Sequence, residues 1–135
     1  MATHVDASWL IALANQRDQW HAQAKALVPY LAARRPFHIH ALAVGEVIAA
    51  VGSAGGGKAA MQAYHTIRDN AVVHCPDREG MDAAMQVVLK HDGTVSLSDA
   101  LFVVLMGKDD EIVSFDADFD KAGVKRVGAP PKGRR

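Results

Sequence analysis

Ile112-Val113-Ser114-Phe115-Asp116-Ala117-Asp118-Phe119 is a short apolar run that stops on a carboxylate and then turns. A β-rich stretch ended by an acid reads as a buried strand whose last residue faces a polar crevice. A second stretch behaves the same way: His4-Val5-Asp6-Ala7-Ser8 closes a very short strand on Asp6. Working outward, Phe37–His40 and Ala71–His74 are further strand candidates, the latter read as buried and ending at Pro76. The spacing predicts a last strand around Val124–Val127.

Helical patterns fill the gaps. Ser8 is placed to cap a helix through Trp9, Leu10, Ile11 and Leu13. Asp18 is placed to cap one running to Leu31. Ala41–Val51 reads as a buried helix and Gly52–Gly57 as a flexible break before helix resumes over Lys58–Arg68. Asp77 or Arg78 opens a helix to Lys90 with Met81, Ala84, Met85, Val88 and Leu89 on one face, and Ser98 caps a helix over Asp99–Met106. Strands alternating with helices predict an α/β domain with a central, mostly parallel sheet flanked by helices.

Fifteen basic and fifteen acidic residues cancel in 135. No global field therefore draws the chain to nucleic acid, and any such contact must come from a local basic patch or a bound metal. Cys75 is the only cysteine, which excludes an intramolecular disulfide and favours a packed thiol at a strand end in a reducing cytoplasm. No apolar run reaches transmembrane length, and Asp6 interrupts what would be a signal-peptide core. The chain reads as a soluble cytoplasmic protein with no membrane partner.

Against that background the acids stand out. Asp6 and Asp116 close strands, and in an open parallel sheet the strand carboxyl ends form the ligand crevice. Glu46 and Asp99 sit near helix starts. Glu46 shares its helical face with Leu42, Ala43, Ala49 and Ala50, so water should have poor access to it, and Asp99 shares its face with Phe102, Val103 and Met106. Asp6, Asp99, Asp116 and Asp118 each read alone as well as a cap or turn former, whereas no cap explains Glu46 inside a helix. Several in apolar contexts suggest one shared partner, and a divalent cation suits a carboxylate cluster.

Three other signals carry less. Gly52–Gly57 with Lys58 matches the first part of a phosphate-binding loop, but Ala59 cannot ligate Mg²⁺ and no strand precedes it. His38 and His40 would share a strand face as a zinc pair, but no third ligand stands at a recognisable spacing. His4 has at most a minor place in the crevice.

Val5-Asp6-Ala-Ser8, Glu46-Val-Ile-Ala, Ser98-Asp99-Ala-Leu and Ser114-Phe-Asp116-Ala-Asp118-Phe119-Asp, in that order, resemble the motifs of PIN-domain ribonucleases, especially VapC-type toxins of toxin–antitoxin pairs. The resemblance runs from about Thr3 to Val127. It implies a three-layer PIN-like domain over residues 1–129, with 130–135 as a basic flexible tail. It further implies that Asp6, Glu46, Asp99 and Asp116 form a catalytic quartet holding one or two Mg²⁺ or Mn²⁺ ions. Asp118 is an additional ligand, and Ser8 and Ser114 support the pocket. The implied activity is endonucleolytic cleavage of structured RNA such as tRNA or rRNA, with a small antitoxin and a second copy of the chain as partners. Arg34, Arg35, Lys58, Arg68, Lys125, Arg126, Lys132, Arg134 and Arg135 are candidate RNA contacts. Two departures stand: the glycine-rich stretch, and the absence of the Ser or Thr that often starts the Glu46 helix. Two other readings remain open: a catalytically silent PIN-like module that binds RNA or protein, and a phospho-accepting receiver-like domain. The latter would want an acidic pair after strand one and a late Lys.

Overall fold

A computed structural model describes residues 1–128. Its elements run β1 (Thr3–Val5), α1 (Ala7–Ala14), α2 (His21–Ala26), α3 (Val28–Ala32), β2 (Phe37–His40), α4 (Ala41–Asn70), β3 (Ala71–His74), α5 (Arg78–Lys90), α6 (Leu97–Leu105), β4 (Glu111–Val113), α7 (Asp118–Lys121) and β5 (Lys125–Val127). Five strands make one parallel sheet in the order β3-β2-β1-β4-β5. The expected α/β class with flanking helices is therefore present, and among the described residues every strand pairing is parallel.

The order carries a functional consequence. The chain steps from β1 outward to β2 and β3, then returns across the sheet to place β4 on the other side of β1. Right-handed crossovers put α1–α4 on one face and α5–α7 on the other. The winding reverses between β1 and β4, and a crevice opens there beyond the strand carboxyl ends. Register sets Val5 opposite Val113, so the residues following both strands emerge side by side.

Val5, Ile39, Ile112 and Val113 from the sheet pack with Trp9 and Leu10 of α1, Val47 and Ile67 of α4, Phe102 of α6 and Phe119 of α7. Phe102 and Phe119 are wholly buried, and each such side chain stabilises by about 2–3 kcal/mol. They pin the helices that carry Asp99 and Asp118. A smaller cluster of Ala84, Val95, Ala100 and Leu101 joins α5 to α6.

Several local expectations are corrected. Asp6, not Ser8, caps α1: extended backbone at φ −93° lets it end β1 and accept the Ser8 N–H. Ser96, not Ser98, caps α6, its hydroxyl accepting the Asp99 N–H. The expected helix from Asp18 to Leu31 is two short ones, because Pro29 has no N–H to continue the turn from α2. The strand expected over Glu111–Phe115 ends at Val113, two residues early. The expected break at Gly52–Gly57 narrows to a kink within α4 at Gly56 (φ 86°). A helical backbone there offers no phosphate cradle.

Burial differs too. β3 lies at a sheet edge, so Val72 and Val73 are exposed, and Cys75 beyond it is exposed rather than packed. On α5 the buried face runs through Met81, Ala84, Val87 and Val88, leaving Met85 and Leu89 in solvent. The proposed tail, with Lys132, Arg134 and Arg135, lies outside the described residues.

Candidate functional site

Asp6, Glu46, Asp99, Asp116 and Asp118 all line one open cavity of about 400 Å³, together with Ser8, Thr94, Ser96 and Ser98. Four segments deliver them: the end of β1, the second turn of α4, the first turn of α6, and the turn from β4 into α7. Asp99, Asp116 and Asp118 each place a carboxylate oxygen so that the three atoms lie within 4.8 Å of one another.

Two serines organise the β1–β4 side. Ser114 Oγ donates to Asp6 Oδ2 at 2.7 Å and accepts the Asp116 N–H at 2.9 Å. Ser8 Oγ donates to Asp6 Oδ1 at 2.7 Å and accepts the Phe115 N–H at 3.0 Å. Each hydroxyl thus ties the Asp6 carboxylate to the backbone that carries Asp116. Asp116 Oδ1 in turn accepts the Asp118 N–H at 2.9 Å, an Asx turn that starts α7.

Burial pushes the Asp6 carboxyl up to about 6, against the lowering effect of its hydrogen bonds to Ser114, Ser8 and the Trp9 backbone. Asp99 is pushed further, to about 8, first by burial, then by the charge of Asp116 and its hydrogen bond, then by Asp6 and Asp118. Carboxylates repel at this range, and that repulsion adds to burial at Asp99. Lys121 Nζ, 3.0 Å from Asp118 Oδ1, is a cation paired with one of these acids that the sequence reading missed. The i, i+3 spacing on α7 was the available signal.

Glu46 is a correction. It is exposed, because its side of α4 faces the open cavity rather than the apolar layer, and Ser98 Oγ donates to its Oε1 at 2.8 Å. His4 does not line the cavity: its ring sits against Phe102 and His38, with Nε2 3.3 Å from Asp110 Oδ2.

Among the described residues, none of the candidate RNA-contacting cations lines the acidic cavity. Arg34 stacks on Tyr30 and pairs with Glu111, a fully buried carboxylate at the opposite end of the sheet that also accepts from Thr3 and Tyr30 and pairs with Lys125. Arg126, its side chain only 8% exposed, donates to Asp120 and to the Ser114 and Gly128 carbonyls, clamping α7 and β5 to the end of β4. Both are occupied structurally. Arg35, Lys58 and Arg68 are exposed, with Arg68 paired to Asp69.

Comparison with known proteins follows the same lines. The PIN domain family model matches residues 4–125. No curated protein matches the sequence significantly. The crystal structure of Mycobacterium tuberculosis VapC20, a Sarcin-Ricin loop cleaving toxin, superposes with a TM-score of 0.79 at 26% identity, covering 96% of this chain and 100% of that one. With its family model matched over nearly the whole length and its acids gathered at the β1–β4 switch point, this chain belongs to the PIN domain family.

Proposed function

We propose that this chain is a metal-dependent endoribonuclease acting on structured RNA such as tRNA or rRNA, and the toxin of a type II toxin–antitoxin pair. The observation that carries the reading is the convergence of five acids from four segments on one open cavity. Membership of the PIN domain family and the likeness to a Sarcin-Ricin loop cleaving toxin support it.

The donor set fits a hard divalent cation, Mg²⁺ or Mn²⁺. All its side chains offer oxygen, three of those oxygens lie within 4.8 Å, and burial with mutual repulsion leaves Asp99 short of positive charge. Asp99, Asp116 and Asp118 would hold one ion, with Asp6 and Glu46 completing the set of five acids or supporting a second. When bound, the cation supplies charge for the phosphoryl oxygens and acidifies a water at the cleaved bond.

The chain's own groups do the rest. Ser8 and Ser114 hold Asp6 and Asp116 at fixed separation. Thr94, Ser96 and Ser98 give the rim neutral hydroxyls where a sugar–phosphate backbone would pass. Lys121, paired with Asp118, would be the cation available to an incoming phosphate.

A small antitoxin covering the groove and a second copy of the chain complete the proposal. An apolar cavity of about 290 Å³ between α1 and α4, lined by Leu10, Leu13, Val47, Val51 and Ile67, supports a protein-binding face there. Among the described residues no helix is long and apolar enough to cross a membrane, in keeping with the proposed cytoplasmic setting.

Mn²⁺ titration calorimetry on wild type and Asp99→Asn, followed by cleavage of structured RNA with and without metal, tests the reading. Binding and cleavage by wild type, both lost in the variant, are expected. Absence of Mn²⁺ binding by folded wild type refutes it.

A further inference from the structure

The Glu46 helix lacks a Ser or Thr at its start, and the residue in that place is His40. His40 is completely buried. Its backbone is extended (φ −103°, ψ 162°) and its Nδ1 accepts the Ala43 N–H at 3.2 Å, so an imidazole caps α4 where a hydroxyl would serve. An accepting Nδ1 carries no proton, which places the proton on Nε2. Nε2 stands 2.8 Å from the Ser98 carbonyl oxygen and donates to it. Burial lowers the imidazole's pKa, in keeping with this neutral tautomer.

A Ser or Thr cap could not make the second bond, being too short to reach another element. Ser98 is the residue before Asp99, in the first turn of α6. Its own hydroxyl donates to Glu46 Oε1 at 2.8 Å. A closed loop results: His40 at the start of α4, the Ser98 carbonyl, the Ser98 hydroxyl, and Glu46 back on α4. The His40 ring also packs on Phe102 of α6 at 4.2 Å between centroids. β2 and α4 belong to one half of the winding and α6 to the other, so this loop spans the crevice.

We infer that His40 is a positioning residue that locks the helix bearing Glu46 to the helix bearing Asp99 across the acidic cavity. The inference rests on the proposed metal-dependent reading for its effect on cation binding, while the loop itself is testable without metal.

Two variants separate the two bonds. In His40→Asn the side-chain oxygen stands near the lost Nδ1 and keeps the cap but cannot reach Ser98. In His40→Gln the amide NH₂ stands near the lost Nε2 and keeps the reach to Ser98 but not the cap. Outer-sphere groups that orient ligands are typically worth tenfold or more in metal affinity. His40→Asn is therefore expected to weaken Mn²⁺ binding about tenfold in calorimetry and to speed amide exchange in the first turn of α6 in metal-free protein. His40→Gln is expected to keep wild-type affinity and α6 protection while melting at a lower temperature.

An Asn variant with unchanged Mn²⁺ affinity and unchanged α6 exchange overturns the inference. So do two variants that lose affinity only in proportion to their loss of stability. Should His40→Asn not fold, His40→Gln decides alone: Mn²⁺ affinity or α6 protection lost there, with the reach to the Ser98 carbonyl kept, overturns the inference. If wild type binds no Mn²⁺, the nuclease reading fails, and amide exchange alone decides whether His40 holds α6.

Discussion

Asp99→Asn in the metal-free protein is expected to be more stable than wild type at pH 8 and indistinguishable from it near pH 4. Burial, then the charges of Asp116, Asp6 and Asp118, push the Asp99 carboxyl to about 8 in the folded chain. In the unfolded chain it returns to the ordinary range near 4. The folded state thus holds a proton that unfolding releases, so stability is full below about pH 4 and is lost as pH rises through 8. At about 1.4 kcal/mol per tenfold difference in acidity the full effect would be on the order of 5 kcal/mol. The cavity is open on one side, and halving that for solvent screening leaves roughly 2–3 kcal/mol. Loss of a negative charge at the α6 N-terminus opposes this by only about 0.3–1 kcal/mol, so repulsion wins. For a domain of this size the difference amounts to roughly 6–10 °C in Tm. Thermal melts in chelator from pH 4 to 8.5 measure it: the two curves should diverge with rising pH. Mn²⁺ at pH 7.5 should then raise the wild-type Tm and leave the variant's unchanged. Parallel curves across the whole range would refute the claim that buried repulsion at Asp99 dominates this site.

Ser114→Ala removes the hydroxyl that donates to Asp6 and accepts from Asp116 N–H; the Asp116 N–H loses this partner and Asp6 keeps only its Ser8 and backbone donors, which is expected to cost about 1–3 kcal/mol in denaturant melts and to weaken Mn²⁺ binding. Arg126→Gln strips donors from Asp120 and from the Ser114 and Gly128 carbonyls, and a loss of about 2–3 kcal/mol is expected in the same assay. For Glu111, burial pushes the carboxyl up, but Tyr30, Thr3, Lys125 and Arg34 outweigh it and hold it below the usual range. Its stabilisation is present above the ordinary glutamate range and is lost as pH falls through the lowered value; Glu111→Gln should therefore flatten the acid limb of the stability curve. Gly56→Ala forces a side chain into a positive-φ position (φ 86°) and is expected to lower stability by about 1 kcal/mol or more, read as a lower Tm.

The limits of the sequence show most clearly where an element meets its neighbours. β3 has the composition of a buried strand, but its place in the sheet is settled by the crossover path, and an edge strand leaves Val72 and Val73 in solvent. Glu46 looked shut away from water because its helical neighbours are small and apolar. Which side of α4 turns to the sheet is decided by Val47 and Ile67 packing beneath it, and the Glu46 side was left facing the cavity. Arg34 and Arg126 looked like free surface cations, yet their partners Glu111 and Ser114 lie 77 and 12 residues away and become neighbours only once β4 is in place.

By itself the sequence determined the order of strands and helices, the parallel α/β class, and the five acids worth watching. Those are local properties: hydrophobic period, strand-ending carboxylates, and residue type at short range. Only the tertiary structure decided that the winding reverses between β1 and β4, which brings Asp6 beside Asp116 across more than a hundred residues and sets Glu46 and Asp99 at the same opening. It also decided the hydroxyls and the imidazole that hold them: Ser8 through Phe115, Ser114 through Asp6, and Ser98 and His40 through each other's helices act on partners far away in the chain. The physical reason is that a hydrogen bond is short-ranged and directional, so its partner is chosen by packing, whereas hydrophobic periodicity is written residue by residue along the chain.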